Sequence, residues 1–131
     1  IEKPNVLPDL TGKENLLLLA SIQNVIGEKE VDEVLKKVDL YDEKDKKYHM
    51  YSLGMKQKLG IAQALMEDPE VLILDEPFNG LDERSAVKIR NLLLEEKEKG
   101  KVIILATHIK EDIDTLCDVV YKVDGGKIEK M

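Results

Sequence analysis

Asp75 and Glu76 stand side by side, directly after the apolar run Val71-Leu-Ile-Leu74 and directly before Pro77. An apolar run this short fits a fully buried strand of a parallel sheet, and a proline cannot continue a central strand. Carboxylates delivered at the C-terminal end of such a strand lie where open α/β sheets bind ligands. There one acid can hold Mg²⁺, directly or through its water, while its neighbour orients or deprotonates an attacking water. An apolar strand that simply ends in a solvated acid pair has the same pattern, and these residues alone do not separate the two readings.

The flanking residues add chemistry. Tyr51-Ser52-Leu53-Gly54-Met55-Lys56-Gln57 opens a helix that should reach about Met66. With a hydroxyl at Ser52 and no side chain at Gly54, an anion can approach the amides and the positive dipole end of that helix. Ser52 also suits the plain role of an N-cap. Downstream, Asn79-Gly80-Leu81-Asp82 precedes a second helix, for which Asp82 is the expected cap. A second apolar strand, Val102 to Ala106, then ends in Thr107-His108. An imidazole at the C-terminal edge of a sheet can hydrogen-bond a phosphate oxygen and an attacking water. His49 lies in a polar loop and receives no role.

In order, spacing and wording these segments resemble the nucleotide-binding domain of ABC transporter ATPases, and most closely that of bacitracin- and lantibiotic-type exporters. The resemblance covers nearly the whole chain. Ser52, Leu53, Gly54, Met55 and Gln57 match the signature motif, with Leu53 in place of its first Gly and Met55 in place of its Gln. Neither change removes the hydroxyl or the glycine amide. Val71 to Glu76 matches Walker B, Asn79, Gly80, Leu81 and Asp82 match the D-loop, and His108 matches the switch histidine. The resemblance implies that Asp75 coordinates Mg²⁺ through water and that Glu76 and His108 are catalytic, with Glu76 as general base. It implies that the signature residues meet the γ-phosphate of ATP held by the opposite protomer of a head-to-tail homo- or heterodimer. Glu2, in Glu2-Lys-Pro4, aligns with the Q-loop glutamine, and its carboxylate is a further candidate for Mg²⁺ or its water.

No G-x-x-x-x-G-K-[ST] phosphate loop occurs in the chain. Gly12-Lys13, Gly100-Lys101 and Gly126-Lys127 each lack the first glycine, having Leu7, Glu95 and Tyr121 there. In the family that loop lies upstream of every motif found here. The expectation is therefore an N-terminally truncated domain that is inactive by itself.

Thr11-Gly-Lys-Glu14 fits a capping box. A helix is expected from about Gly12 to Ile26, with Leu16, Leu19, Ala20 and Ile22 on its apolar face and Gly27 at its end. Val31, Val34, Leu35 and Val38 have helical spacing, and Asp39 to Lys47 reads as a solvated connection. Leu59, Ala62, Leu65 and Met66 give the signature helix its buried stripe. After Val71–Leu74 come a helix from Glu83 to Lys99, strand Val102–Ala106, a short helix Lys110–Cys117, strand Val119–Val123 and a hairpin through Asp124-Gly-Gly126. This alternation predicts an α/β fold with a mostly parallel, gapped sheet, a partial P-loop NTPase-like ABC ATPase. The division expected is residues 1–68, Q-loop and helical signature subdomain, and 69–131, the C-terminal part of the catalytic core.

The chain has 131 residues, 43% hydrophobic and 36% charged, with a net charge of −7. That charge disfavours nucleic acid and anionic membrane surfaces as partners. A single cysteine, Cys117, excludes an internal disulfide and reads as a small core residue beside Ile113 and Leu116. No apolar run approaches the ~20 residues of a membrane span. These features, with the resemblance, predict a cytoplasmic ATPase subunit peripheral to the membrane, using ATP and Mg²⁺ and coupled to a transmembrane permease. The alternatives are an ABC-type ATPase of DNA maintenance or repair, which usually carries long coiled coils, and a non-catalytic interaction fragment. No sustained heptads occur here.

Overall fold

The computed structural model describes residues 6–24 and 26–131. Thr11 opens helix α1 (Gly12–Gln23) with the expected capping box. Its hydroxyl accepts from the Glu14 amide at 3.0 Å, and the Glu14 carboxylate accepts from the Thr11 amide at 2.9 Å. The helix stops earlier than its apolar pattern suggests, because Asn24 takes a left-handed conformation (φ 55°). Asparagine tolerates that conformation. Ile22 consequently lies outside the core, 72% exposed, while Leu16 and Ala20 are buried. Gly27, expected to end this helix, instead stands before α2 (Glu28–Lys37), and its amide donates to the Glu30 carboxylate at 2.9 Å.

Helix α2 buries Val31, Val34 and Leu35 against α1 and α3 (Leu53–Leu65). The connection to α3 holds two short 3-10 turns, Tyr41–Glu43 and Tyr48–Met50. It is tied back to the start of α1: Leu10 O accepts from the Tyr48 amide at 2.9 Å and Pro8 O from the His49 amide at 3.1 Å. Asn15, 2% exposed, braces the same turn. Its Oδ1 accepts from the Leu7 amide at 2.7 Å, while its Nδ2 donates to the carbonyls of Leu7 and Thr11.

Strand β1 (Val71–Asp75) and strand β2 (Val102–Ala106) are parallel neighbours, in register from Val71↔Val102 to Asp75↔Ala106. Helix α4 (Glu83–Glu98) connects them and packs on β2, while α3 packs on β1. Leu72 and Leu74 join Leu59, Ile61, Ile89 and Leu93 in one buried cluster. The fully buried strand expected from the apolar run is not what forms. Val71, Ile73, Val102 and Ile104 point to the other face and are 50–66% exposed. Side chains alternate across a strand whatever their polarity, so a strand apolar on both faces leaves one bare wherever packing is one-sided.

The mostly parallel sheet is corrected in one further respect. After α5 (Lys110–Leu116), strand β3 (Tyr121–Asp124) pairs antiparallel with β4 (Lys127–Lys130) in a separate two-stranded sheet, not with β1 or β2. Gly125 (φ 55°) and Gly126 (φ 80°) supply the two left-handed residues of the hairpin turn. Cys117 is half-buried, outside the buried cluster, and burial followed by the Asp118 charge raises its thiol pKa.

The N-terminal edge of the β1–β2 pair is held by charge. Lys101, just before β2, reaches the buried Glu96 carboxylate of α4 at 2.9 Å and also pairs with Asp68, just before β1. Burial alone would lower the Lys101 pKa, but the hydrogen bonds to Asp68 and Glu96 outweigh it and leave the ammonium raised. Lys101→Met removes the nearer cation from the buried Glu96 carboxylate and leaves it only the exposed Lys99 ammonium at 3.6 Å. It is expected to lower the unfolding free energy by about 3 kcal/mol in a urea titration, with Lys101→Met/Glu96→Leu recovering most of the loss. Because the folded pKa of Lys101 is raised, its contribution is complete below the unfolded value of about 10.4. It should fade as pH rises through the folded value, and the parental and Lys101→Met curves should converge there.

Candidate functional site

The C-terminal ends of β1 and β2 bring the acid pair and the histidine together. The ladder runs one residue beyond the strands, with the Glu76 amide donating to Ala106 O at 2.8 Å. Glu76 then turns with φ 46°, a left-handed conformation that non-glycine side chains rarely adopt. The strain is accompanied by a specific contact: His108 Nδ1 lies 2.7 Å from Glu76 Oε1. An ionised carboxylate only accepts, so Nδ1 carries the hydrogen and Nε2 is left directed away from that bond. His108 is 85% exposed and Glu76 33%, so solvent reaches the pair. Backbone strain of this kind clusters at functional sites.

Asp75 is exposed at the same edge. Among the described residues no group of three or more His, Cys, Asp and Glu gathers to hold a metal. The donors present therefore do not form a self-contained metal cage. They fit a Mg²⁺ that arrives with its own waters and phosphate oxygens and needs only one or two carboxylates from the protein. Glu2, the other metal candidate, lies outside the described residues.

The signature segment approaches from α3. Ser52 is its N-cap, with Oγ accepting from the Met55 amide at 3.2 Å. The residue before it is rigidly placed: Tyr51 is buried and its hydroxyl donates to Glu43 O at 2.7 Å. Burial, then the charges of Glu43 and Asp45, push the Tyr51 pKa up to about 12. One turn into the helix, Gln57 Nε2 donates to Glu76 O at 2.8 Å. No residue pattern announces this bond between a signature side chain and the strained Walker B turn. Lys56, Gln57, Asp75, Glu76 and Asn79 line an open cleft of about 540 Å³.

The signature and D-loop segments also touch. A Cβ at Gly54 would lie 3.0 Å from Gly80 O, and one at Gly80 would lie 2.7 Å from Leu53 Cγ. Leu53 itself is 62% exposed. Asp82 caps α4 as expected, its Oδ1 accepting from the Ser85 amide at 2.7 Å. Hydrogen bonding from Ser85 lowers its pKa. Asn79 and Gly80 are exposed, and Leu81 is partly buried against the core. The segment after Ser52 thus meets the Glu76 turn through Gln57 and the Asn79–Asp82 segment through Leu53 and Gly54, while His108 meets Glu76 from the end of β2.

Comparison with known proteins fits this arrangement. The ABC transporter family pattern matches residues 1–79. The chain belongs to the ABC transporter family. It is 44% identical over 129 residues to the bacitracin transport ATP-binding protein BcrA of Enterococcus faecalis, covering 98% of this chain and 42% of that protein. It is 38% identical to YybJ, an ABC transporter ATP-binding protein of Bacillus subtilis, covering 98% of this chain and 59% of that one. The chain thus spans about half the length of the curated relatives it matches. The dimeric structure of MJ0796, a bacterial ABC transporter cassette, superposes with a TM-score of 0.84 at 28% identity, over 96% of this chain and 59% of that one. A post-hydrolysis state of the same cassette, bound to ADP and Pi, gives the same TM-score at 26% identity. The chain therefore carries part of the α/β fold of an ABC cassette, and its wording is similar to that of the bacitracin transport proteins.

Gly80→Ala separates the two demands at the D-loop contact. With φ 81° and Leu53 in the way, it should destabilise the fold by about 1–3 kcal/mol in denaturant titration. Adding Leu53→Ala should return the steric share of that loss and leave the backbone share.

Proposed function

We propose that this chain is the signature- and Walker B-bearing part of an ATP-hydrolysing subunit that drives transport through a membrane permease. The observation that carries the reading is the hydrogen-bonded Glu76–His108 pair, set on a strained turn at the C-terminal edge of β1 and β2. The names of the relatives, which describe ATP-binding proteins of transport systems, support transport over DNA maintenance. As in those names, the working molecule is ATP-binding. We place it at the inner face of the cell membrane, in contact with the permease through the lobe formed by residues 1–68, with residues 69–131 contributing to the catalytic core.

ATP with Mg²⁺ supplies the phosphoryl group to be transferred and the charge that binds it. On the protein side, Asp75 offers a carboxylate to the metal or its water. Glu76 takes the proton of the attacking water, acting as general base. His108 donates through Nδ1 to Glu76 Oε1 and so fixes the direction of that carboxylate, leaving Nε2 to meet a phosphate oxygen. Gln57 holds the main chain of the same residue from the other side. Ser52, Leu53, Gly54 and Met55 are assigned to the nucleotide of a second ATPase domain, homologous or identical. Asn79 to Asp82 belong to the same interface. The dimeric cassette structure that this chain resembles supports an assembly of that kind. The bare apolar face of Val71, Ile73, Val102 and Ile104 is assigned to packing within the longer protein.

Two measurements test this. In the longer protein, Glu76→Gln should retain ATP binding, lower turnover strongly and favour a persistent ATP-bound dimer. Turnover at the parental rate removes Glu76 as the base.

The 131-residue chain alone should bind Mg-ATP too weakly to measure at micromolar concentrations. It has no phosphate-loop sequence to provide a nest of amides and a lysine, and two adjacent carboxylates repel a polyanion. Calorimetric titration with Mg-ATP is the check. Micromolar binding means that other residues replace that cradle.

A further inference from the structure

Arg90 of α4 joins the two segments that meet at the Glu76–His108 contact. Its Cζ lies 5.6 Å from the ring centroid of Phe78, which is buried two residues after Glu76. Its Nη2 donates to Asp112 Oδ1 at 2.8 Å. Asp112 sits in α5, four residues after His108, and is 2% exposed. The remaining atoms Asp112 Oδ2 and Arg90 Nε, both buried, have no hydrogen-bond partner among the described residues. The guanidinium is thus the principal answer to a buried carboxylate, and guanidinium and ring fix each other's plane.

Helix α5 has seven residues and no side-chain cap at Ile109. A helix this short does not hold its place without tertiary contacts. It follows directly on the Thr107-His108 turn that leaves β2, so where it lies constrains the far end of that turn. The turn itself is held by the Thr107 hydroxyl, which accepts from the Ile109 amide at 3.1 Å. On the other side, Phe78 closes the turn that begins at Glu76, where the Asn79 amide donates to Glu76 O at 3.1 Å.

We propose that Arg90, with Asp112, is a positioning pair that sets the distance between Glu76 and His108 by clamping the Phe78 turn and α5 to one guanidinium. Its consequence for turnover rests on the hydrolytic reading above, but the positioning itself does not. The chain contains two histidines, so imidazole ¹⁵N spectra of the 131-residue protein resolve His108, with His49 as internal control. The Nδ1 signal of His108 should carry the signature of its hydrogen bond to Glu76, and Glu76→Ala should supply the signal without it. Arg90→Met and the size-conserving Asp112→Asn are each expected to move His108 toward the Glu76→Ala position while His49 stays put. If Arg90→Met loses its dispersed amide spectrum, Asp112→Asn carries the test. In the longer protein both variants should lower kcat by about 10- to 100-fold and leave KM for ATP unchanged. A parental His108 signal in whichever variants stay folded overturns the proposal. If the longer parent shows no ATP turnover, the hydrolytic reading fails, while the His108 signal still decides the positioning role.

Discussion

The hydrogen bond from the Glu76 amide to Ala106 O is the point on which the site depends. It adds a rung between the residue after β1 and the last residue of β2, so Glu76 is fixed by the sheet although its side chain belongs to the loop. The same rung places the chain of β2 two residues before His108. A left-handed backbone at Glu76 then turns the carboxylate toward the imidazole instead of letting it follow the strand. Loss of that rung would let the strained residue relax to an ordinary extended conformation, taking the carboxylate away from the imidazole. The Gln57 bond to Glu76 O closes the other side of the same peptide and links this geometry to the signature helix.

Holding a strained loop requires a rigid platform, and here the platform is one-sided. Leu72, Leu74 and the helices α3 and α4 share one buried cluster, so β1 cannot shift without opening the core. At the opposite end of the strands, Lys101 ties the entrances of β1 and β2 to α4 through Asp68 and Glu96. The outer face, by contrast, has apolar side chains that the described residues leave uncovered. A buried face gives the site its fixed geometry, while the face of valine and isoleucine opposite contributes nothing to holding it.

Much of this was readable from residue types. Thr11, Ser52 and Asp82 announced three helix starts because an N-cap needs only a short side-chain oxygen at a known offset, and each makes the expected bond. Strands 71–75 and 102–106 were legible because continuous apolar runs bounded by breakers have few other uses. Which face was covered was not legible, since Val71 and Leu72 are equally apolar and only the placement of α3 and α4 distinguishes them. The early end of α1 at Asn24 was missed because the apolar pattern continues through Ile26 while the backbone already turns left-handed. The hairpin was identified from Gly125-Gly126, yet its separation from β1–β2 depends on long-range pairing that no local pattern encodes.

The site's polar contacts show the same boundary. Asp75, Glu76 and His108 stood out as chemistry because of their positions at strand ends. Gln57 stood out only as part of the signature motif, with no sign of a bond to Glu76, and Arg90 and Asp112 looked like ordinary residues of charged helices. Their roles arise from separations of 19 and 22 residues, closed only by the fold. They explain how the strained turn is tolerated. A left-handed glutamate costs on the order of 1–3 kcal/mol, and no single hydrogen bond of net ~1 kcal/mol would hold it securely. Here the ladder rung, the Gln57 amide and the histidine contact act on one residue, while the Phe78 turn beyond it leans on Arg90. Several modest contacts that converge can over-determine a conformation that none of them could impose alone.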